Sequence, residues 1–400
     1  MGLKIVSHLE TIFLSKIKRE LIIQRSCPIN VYIYFLNVPL LRILWLAHRD
    51  PLNPRAGGAE RTIFEVGKRL LNKGNEVTIL SGGWNNCKKE EFLEGIRIKR
   101  YGYRAAPHLI LPIILLKNKF DIVIADLGHA VPWIAPILLR RKTVVSFYHL
   151  HARSLHGQVG KILAYIITAI EKCYFIIYNK SPFVTISNTS YGNLSDLGIK
   201  SNKITIINPG VNDELFRPSN KTEYPSMIYF GGMRPYKRPE EALYLLNNLL
   251  KEFNNLRLLM VGDGPSRSVL EKISEDLVIK EHVTFTGRVS EEKLAELVSS
   301  AWLNVHSSVT EGWGISIIES ASAGTPTVAY EVPGVVDAIE EGLNGIKVKD
   351  GDRKALTDAA IKLLKDPEPW WASSVKVANK YSWDATTEKW EELILAVVSG

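Results

Sequence analysis

A regular alternation of short apolar runs with longer amphipathic stretches begins near residue 41 and limits the chain to a narrow set of folds. Runs rich in β-branched residues predict strands at residues 42–47, 76–80, 121–125, 143–148, 183–187 and 203–207. Between the first two runs, Ile63, Val66 and Leu70 share one helical face, and this helix is predicted to end at Gly74. Because parallel strands need long crossovers, which are usually helical, the alternation predicts βα units around a parallel sheet.

The alternation pauses at two clusters of turn-forming residues, 208–210 and 216–220, and then restarts. The second series predicts strands at residues 227–231, 257–262, 282–286, 302–306, 327–330 and 346–348. A chain of 400 residues also exceeds the usual size of one hydrophobic core. We therefore predict an α/β protein with two doubly wound parallel-sheet domains, residues 41–208 and 209–384. For the preceding extension, residues 1–40, the sequence favours no particular fold.

Positive charge is concentrated in the first half of the chain. Residues 1–210 hold 29 Lys and Arg against 13 Asp and Glu, residues 211–400 hold 21 against 29, and the whole chain carries +8. A basic half attracts anionic partners over about one Debye length. Because the sequence has no zinc finger, RNP-like signature or basic zipper, the charge favours an anionic membrane surface or a phosphorylated acceptor over nucleic acid. The alternative is a solvated basic face without a dedicated partner.

The cysteines and the apolar stretches bear on the location of the protein. Cys27, Cys87 and Cys173 are far apart and form neither a CxxC pair nor a cluster with zinc spacing, which indicates a reduced, cytoplasmic setting. The most apolar stretch, residues 29–47, is interrupted by polar residues and a proline, so it does not predict a transmembrane span. Residues 1–26 mix basic and apolar positions and are either an amphipathic helix lying on the inner face of a membrane or an extension without a role.

The segment from Glu311 to Glu319 has the sequence Glu-Gly-Trp-Gly-Ile-Ser-Ile-Ile-Glu, follows a predicted strand and opens an amphipathic helix. Gly312 and Gly314 let the backbone approach a ligand closely, and the helix N-terminus adds roughly half a positive charge that suits a phosphate. The two carboxylates, one before the helix and one a turn inside it, can accept hydrogen bonds from the hydroxyls of an elongated ligand. By spacing alone, an ordinary exposed acidic pair is the commoner interpretation.

Further glycine turns follow other predicted strands of the second series. The loop at residues 231–239 combines such a turn with three cations, Arg234, Lys237 and Arg238, which suits a diphosphate at the carboxyl end of a strand. Two more strand-end glycine turns lie at residues 261–265 and 285–290. Each turn alone is a weak signal, but together they indicate one ligand site at the carboxyl edge of the sheet.

These residues together resemble the family 4 (group 1) glycosyltransferases of the GT-B fold. That family shows, in order, the patterns G-R-L-x-x-x-K, V-G-D/E-G, G-x-V and E-G-F-G-x-x-x-x-E, and the match covers the second domain almost end to end. The resemblance implies two Rossmann-like domains facing a cleft, a nucleotide-diphosphate sugar as donor, of the uridine or guanosine type, and no metal or other cofactor. It also implies a closing helix, residues 385–400, that crosses back onto the acceptor-side first domain, with Ser382 or Asp384 as its cap.

The resemblance assigns roles to individual residues. It implies that Glu311 contacts the hydroxyls of the donor sugar, that Glu319 contacts the ribose, and that Lys237 stabilises the leaving diphosphate. The other donor-binding positions that it implies are the backbone of Gly312, Trp313, Gly314 and Ile315 and the base-facing loop at Gly287 and Arg288. The family's arginine falls on Gly232 here. Either Arg234 or Arg238 supplies that cation from another position, or Lys237 and the helix N-terminus act alone.

In the first half, the Gly57-Gly58 pair lies between the first predicted strand and the first long helix. It resembles the glycine loop with which the family's first domain faces the donor phosphates. His149 follows the strand at residues 143–148 and corresponds to a histidine that contacts the donor sugar near the reacting carbon. Weaker candidates near the same rim are His151, Ser187 and His129.

We therefore expect a hexosyltransferase that acts with retention, by front-face, substrate-assisted attack, on a lipid-linked or surface-glycan acceptor held by the basic first domain. Three other classes of protein with this fold stay open. A nucleotide-sugar epimerase would consume donor without an acceptor, and a phosphorylase would need a lysine-bound pyridoxal phosphate. A catalytically silent nucleotide-sugar-binding protein would bind donor without turnover, and Gly232 is the feature that favours it.

Overall fold

The computed structural model describes residues 40–103, 106–129, 131–139, 142–150 and 160–400, and they contain two parallel sheets. The first sheet has the order β3-β4-β2-β1-β5-β6-β7-β8, and every pairing in it is parallel except β3 with β4. Its strands are β1 (Arg42–Leu46), β2 (Glu76–Gly83), β3 (Glu90–Leu93), β4 (Ile96–Tyr103), β5 (Ile122–Asp126), β6 (Thr143–Phe147), β7 (Phe183–Thr185) and β8 (Ile204–Ile206). The central strands are buried on both faces, which explains their continuous apolar sequence.

Helices cover both faces of the first sheet. They are α1 (Gly58–Asn72), α2 (Ala106–Lys117), α3 (Ala135–Leu139), α4 (Lys161–Lys172), α5 (Tyr174–Ile177) and α6 (Asn188–Asp196). The first of these places Ile63, Val66 and Leu70 in the core and is followed by Gly74, whose φ of 94° only glycine adopts without strain.

The second sheet is entirely parallel and has the order β11-β10-β9-β12-β13-β14. Its strands are β9 (Ser226–Phe230), β10 (Arg257–Val261), β11 (Val283–Gly287), β12 (Leu303–His306), β13 (Thr327–Tyr330) and β14 (Gly345–Val348). Its helices are α7 (Glu240–Leu249), α8 (Arg267–Asp276), α9 (Glu291–Ser300), α10 (Ile315–Ser322), α11 (Val335–Ala338), α12 (Arg353–Lys365) and α13 (Glu368–Ala378). The predicted α/β class and the two doubly wound parallel sheets are thus confirmed.

The last helix, α14 (Trp383–Ser399), belongs to the core of the first sheet. Trp390 packs against Trp45 of β1 with their ring centroids 5.2 Å apart. Arg69 of α1 pairs with Asp384 at 2.8 Å, and the backbone N–H of Ala385 donates to the Ser382 hydroxyl, so Ser382 is the N-cap. Of the two predicted caps, the serine caps the helix and the aspartate bridges to α1.

The β3–β4 hairpin was absent from the sequence prediction. Its turn consists of Glu94 and Gly95, both in the left-handed region with φ of 46° and 87°. In β4, buried Ile96 and Ile98 alternate with the side chain of Arg97, a pattern typical of a half-buried strand that the basic residues obscure.

In each sheet the strand that comes first in the sequence is central, and the strand order reverses beside it. In the second sheet β9 has β10 on one side and β12 on the other, and in the first sheet β1 lies between β2 and β5. Ligands of open α/β sheets bind outside the carboxyl ends of the strands at such switch points. In the part of the chain that the structure describes, no helix combines the length and hydrophobicity needed to cross a membrane.

Candidate active site

An ion pair lies at the switch point of the second sheet. Lys237 ends a short 3-10 turn (Pro235–Lys237) after β9, and Glu311 lies in the loop between β12 and α10. The Lys237 ammonium contacts Oε1 of Glu311. The Ser308 hydroxyl donates to the same oxygen at 2.6 Å, and Nε2 of His306 lies 3.3 Å from it. These groups hold the carboxylate at one fixed position in the cleft.

The environment of this pair keeps both groups charged. Burial by itself raises the pKa of Glu311, but the charge of Lys237 and the contact with His306 outweigh it and hold that pKa well below its usual range. Burial likewise lowers the pKa of Lys237, and the Glu311 carboxylate more than reverses that change. At neutral pH the site therefore presents a carboxylate that accepts hydrogen bonds beside an ammonium that attracts anions.

The two arginines considered for the missing family arginine have different surroundings. The guanidinium of Arg238 donates to the carbonyl oxygens of Ser307 and Ser308, at 2.7 and 3.1 Å, and pairs with Asp350 at 2.6 Å. Arg234 is exposed, and its Nε lies 3.7 Å from the point that a Cβ of Gly232 would occupy. The side chain of Arg234 thus lies over Gly232, whereas that of Arg238 is held by the loop after β12 and by Asp350.

Helix α10 points its N-terminus at this cleft. Gly314 is its N-cap with a φ of 84°, a conformation that suits glycine. The Trp313 side chain is buried against Tyr381, with ring centroids 5.2 Å apart, so only the backbone of Trp313 is available to a ligand. The first turn of α10 therefore offers N–H groups and the positive end of the helix dipole.

Glu319, the second carboxylate of the motif, pairs across the cleft with the first domain. Nη1 of Arg61, on α1, lies 2.7 Å from Oε1 of Glu319, and Nη2 of Arg61 contacts Glu291. Burial raises the pKa of Glu319 to about 7, with Arg61 opposing that rise and Glu291 adding to it. Arg61 was not among the site residues predicted from the sequence, although a cation one turn into the helix after a glycine pair was a usable signal. His306 and Ser308 were also missed.

The residues predicted in the first domain meet the second domain at the same cleft. A Cβ on Gly58 would lie 3.9 Å from Cγ2 of Ile315, and one on Gly312 would lie 3.7 Å from Nδ1 of His149. The Ser187 hydroxyl donates to the carbonyl oxygen of Gly312 at 2.8 Å. The backbone N–H of Gly57 donates to Glu60 at 2.7 Å, which fixes the start of α1. His149, Gly58 and the Gly312 loop are therefore neighbours.

Gly287 and Arg288 lie at the end of β11, two strands away from β9. Gly287 has a φ of 70°, and its carbonyl oxygen accepts from the N–H of Gly262 at 2.8 Å. The Arg288 guanidinium donates to the carbonyl oxygen of Pro54 in the first domain at 3.4 Å. The Gly287-Arg288 loop lies along the same carboxyl edge of the sheet as Glu311. The 231–233 loop, which follows β9, lies between them.

His129 belongs to a cluster of rings at the carboxyl end of β5. Its ring centroid lies 4.3 Å from that of His48, and its Nε2 lies 3.3 Å from Nε2 of His108. His108 stacks on Trp133 at 3.8 Å, and burial lowers its pKa to about 4. His151 lies outside the described residues. Among those described, no three His, Cys, Asp or Glu side chains are arranged to hold a metal ion.

Comparisons with known proteins identify the class that this fold and cleft define. The model of the family "Glycosyl transferases group 1" matches residues 211–380, and that of "Glycosyltransferase Family 4" matches residues 56–215. The chain belongs to the family 4 (group 1) glycosyltransferases of the GT-B fold.

Three similar proteins illustrate this relationship. N-acetyl-alpha-D-glucosaminyl L-malate synthase of Bacillus anthracis is 22% identical over 79% of this chain and 86% of its own. GDP-mannose-dependent alpha-(1-6)-phosphatidylinositol monomannoside mannosyltransferase of Mycolicibacterium smegmatis is 26% identical over 84% of this chain and 92% of its own. The structure of sucrose-phosphate synthase from Thermosynechococcus elongatus superposes with a TM-score of 0.77 at 21% identity and covers 89% of this chain and 99% of its own.

Donor affinity is expected to rise with pH through about 7, the pKa of Glu319. An ionised carboxylate such as Glu319 has the capacity to accept hydrogen bonds from two vicinal hydroxyls, whereas the protonated acid has lost part of that capacity. Because Arg61 lowers this pKa, Arg61→Gln is expected to move the midpoint to higher pH. The measurement is calorimetric titration with a nucleotide sugar, whose esterified diphosphate lacks the proton that phosphate monoesters lose near pH 6. Glu319→Gln is the control, and an unchanged midpoint in that variant would contradict the assignment.

Gly312→Ala is expected to lower kcat/KM by about tenfold by displacing the loop that carries Glu311. The new methyl group would lie 2.9 Å from Cδ1 of Ile186 and 3.3 Å from the carbonyl oxygen of Tyr148, both in the first domain. The matched control is Gly192→Ala in α6, where nothing lies within 4 Å of the added methyl group. Equal kinetics for the two variants would show that the Gly312 contact does not position the site.

Proposed function

We propose that this glycosyltransferase moves a hexosyl group from a nucleotide-diphosphate sugar to a hydroxyl of its acceptor, with retention at the anomeric carbon. The observation that carries the proposal is the charged pair of Lys237 and Glu311 at the switch point of the second sheet, beside the N-terminus of α10. An ammonium and a helix N-terminus attract a diphosphate, and a fixed carboxylate accepts hydrogen bonds from sugar hydroxyls.

In the proposed reaction the bond between the anomeric carbon and the β-phosphate oxygen breaks as the acceptor oxygen bonds to that carbon from the same face. The acceptor proton passes to the departing phosphate oxygen, so no protein nucleophile is needed. Lys237, Arg234 and the N–H groups at the start of α10 stabilise the charge that develops on the leaving nucleoside diphosphate. We propose that these groups take the place of a metal ion or other cofactor.

The remaining residues orient the donor. Glu311 accepts from the sugar hydroxyls, and Glu319 accepts from the ribose once the ligand displaces Arg61. His149 contacts the sugar from the opposite wall of the cleft, beside Gly312. The backbone of the Gly57-Gly58 turn faces the phosphates, and the Gly287-Arg288 loop faces a uracil or guanine base. Arg238 fixes the loop that carries Lys237 rather than contacting phosphate.

The acceptor is proposed to be anionic and lipid-linked, or a surface glycan carrying phosphate. A cleft of about 310 Å³ opens at the carboxyl ends of β1 and β2, next to the Gly57-Gly58 turn. Its lining includes His48, Arg49, Arg55 and Trp84. An aromatic ring and arginines suit a phosphorylated sugar or cyclitol. The M. smegmatis relative is named for phosphatidylinositol monomannoside, a lipid that carries phosphate, which supports the same class of acceptor.

One set of nucleotide sugars tests both which donor binds and whether Arg234 replaces the family arginine. Uridine, guanosine and adenosine diphosphate sugars are titrated with EDTA present, and turnover is then measured with the base that binds best. Arg234→Gln is expected to lower kcat by about tenfold because it removes one cation from the leaving group. Arg257→Gln, at the amino end of β10 and away from the cleft, is the control. If Arg234→Gln turns over as the wild type does, Arg234 does not replace the family arginine.

A catalytically silent nucleotide-sugar-binding protein is the second candidate, and Gly232 is the observation that favours it. Tight binding of one nucleotide sugar with no release of nucleoside diphosphate, whatever acceptor is offered, would establish that candidate. The side chain of Arg234 over Gly232 favours the transferase.

A further inference from the structure

Exposed apolar side chains are concentrated on one part of the first domain. Of the twenty large apolar side chains that are exposed among the described residues, twelve lie between residues 109 and 176. On α2, Leu109 and Leu116 are 84% and 87% exposed, and Ile113 between them is also exposed. Their spacing of four and three residues places them on one face of the helix. This face is turned away from the core.

The neighbouring helices continue the apolar surface. The remaining exposed side chains of this set include Ile137 and Leu138 on α3, Ile162, Leu163, Tyr165 and Ile166 on α4, and Ile176 on α5. We call the exposed apolar side chains of α2 to α5 the apolar face. Such a concentration on a surface marks an interaction site more often than chance exposure does.

All four helices lie on the same side of the first sheet. Their inner residues, among them Leu111, Ala135 and Tyr174, share one core cluster with β1, β2, β5 and β6. Helix α2 contacts α3, and the Tyr178 hydroxyl, just after α5, donates to the carbonyl oxygen of Trp133, just before α3, at 3.1 Å. The helices that carry the apolar face therefore pack near one another on that side of the sheet.

The opposite side of the same sheet has a different outer surface. There α1 and α14 carry ion pairs, Lys68 with Glu94, Arg69 with Asp384 and Lys73 with Glu391. That contrast shows that exposed apolar residues are not a general property of this domain.

Exposed lysines border the apolar face. None of the acidic residues that the structure describes between positions 106 and 180 is exposed. The exposed lysines are Lys117, Lys119, Lys142, Lys172 and Lys180. Of the acidic residues there, Asp121 pairs with Arg42 at 3.2 Å, and Asp126 and Glu171 are buried. Between the ends of α2 and α3 lies a cleft of about 460 Å³ whose lining includes Leu115, Leu138, Lys119 and Lys142.

We propose that the apolar face docks this enzyme onto an anionic lipid bilayer. Aliphatic side chains would enter the boundary between head groups and acyl chains, and the flanking lysines would reach the phosphates. The charge pattern selects this occupant over a second copy of the chain, because pairing two such faces would bring lysines against lysines. The inference goes beyond the proposed reaction and rests only on the surface of the first domain.

Vesicle sedimentation tests the proposal with the full-length protein. The vesicles are phosphatidylcholine alone and phosphatidylcholine mixed with phosphatidylglycerol. The double variant Leu109→Gln/Leu116→Gln is expected to bind mixed vesicles about a hundredfold more weakly, because it removes two exposed leucines that the bilayer would bury. Lys117→Gln/Lys119→Gln is expected to lose about twentyfold on mixed vesicles, an effect that added salt masks, and little on neutral ones. Val269→Gln, at an exposed apolar position of α8 in the second domain, is the control.

Two further measurements distinguish loss of membrane binding from unfolding and from damage to the donor site. Thermal unfolding should be unchanged, since Leu109 and Leu116 are exposed, and nucleotide binding in solution reports separately on the donor site. Equal vesicle binding by all variants, or no binding by the wild type, would overturn the proposal. Self-association of the wild type that the leucine variant abolishes, without vesicle binding, would assign the face to a second copy instead.

Discussion

Lys237→Met is expected to lower kcat by about 10³-fold, the largest effect of any single substitution in the cleft. Its ammonium lies at the carboxyl end of β9, beside the N-terminus of α10, where the proposed leaving diphosphate gathers charge. Methionine keeps a similar length and volume and removes the charge, so loss of packing contributes little. The measurement is steady-state release of nucleoside diphosphate at saturating donor, which separates kcat from donor binding.

The same variant is expected to lose stability in a pH-dependent way. Without Lys237, the Glu311 carboxylate stays mostly buried with Ser308 and His306 as its remaining contacts, and removing one partner of such a pair costs about 2–4 kcal/mol. Because Lys237 lowers the pKa of Glu311, that pKa rises in the variant, and the loss of stability should shrink as the pH falls through it. Lys376→Met on α13 is the control. Wild-type kcat in Lys237→Met would show that this ammonium does not act on the leaving group.

Glu311→Gln is expected to lower kcat/KM by about a hundredfold, because hydrogen bonds from the sugar hydroxyls to a charged acceptor weaken when the acceptor becomes neutral. Both kcat and KM should change, since Glu311 contacts the sugar before and during transfer. Glu281→Gln, exposed at the amino end of β11, is the matched control. A change in KM alone would mean that Glu311 only binds the sugar.

A double variant separates the roles of the two charges. Lys237→Met/Glu311→Gln removes both members of the pair, so no buried charge is left unpartnered, and it is expected to recover stability relative to Lys237→Met. Activity should stay at the level of the weaker single variant or below. Recovery of activity together with stability would mean that the pair is structural.

The sequence was enough to predict six of the eight strands of the first sheet, all six strands of the second sheet and the order of the loops at their carboxyl ends. Buried parallel strands such as β5 and β10 contain continuous apolar runs, Ile122 to Ala125 and Leu258 to Val261, and glycine turns follow them. The β3–β4 hairpin was missed because Arg97, Lys99 and Arg100 interrupt the apolar pattern of a strand near the sheet edge.

Contacts between the domains lay beyond the reach of sequence patterns. Arg61 and Glu319 are 258 positions apart, and only folding shows that they pair at 2.7 Å. In the same way, the choice between Arg234 and Arg238 depends on side-chain direction, which the shared loop sequence does not encode. The role of His306 in holding Glu311 follows from the end of β12, where the two side chains meet.

The most direct test of the proposed reaction measures two products in one sample. A donor labelled in its sugar is incubated with the protein and a membrane lipid extract, and released nucleoside diphosphate and labelled lipid are both quantified. Equal amounts of the two products are expected with the wild type, and about a thousandfold less of each, in the same time, with Lys237→Met. Nucleotide release without labelled lipid or any other labelled acceptor, or a sugar altered while still attached to its nucleotide, would contradict glycosyl transfer to an acceptor.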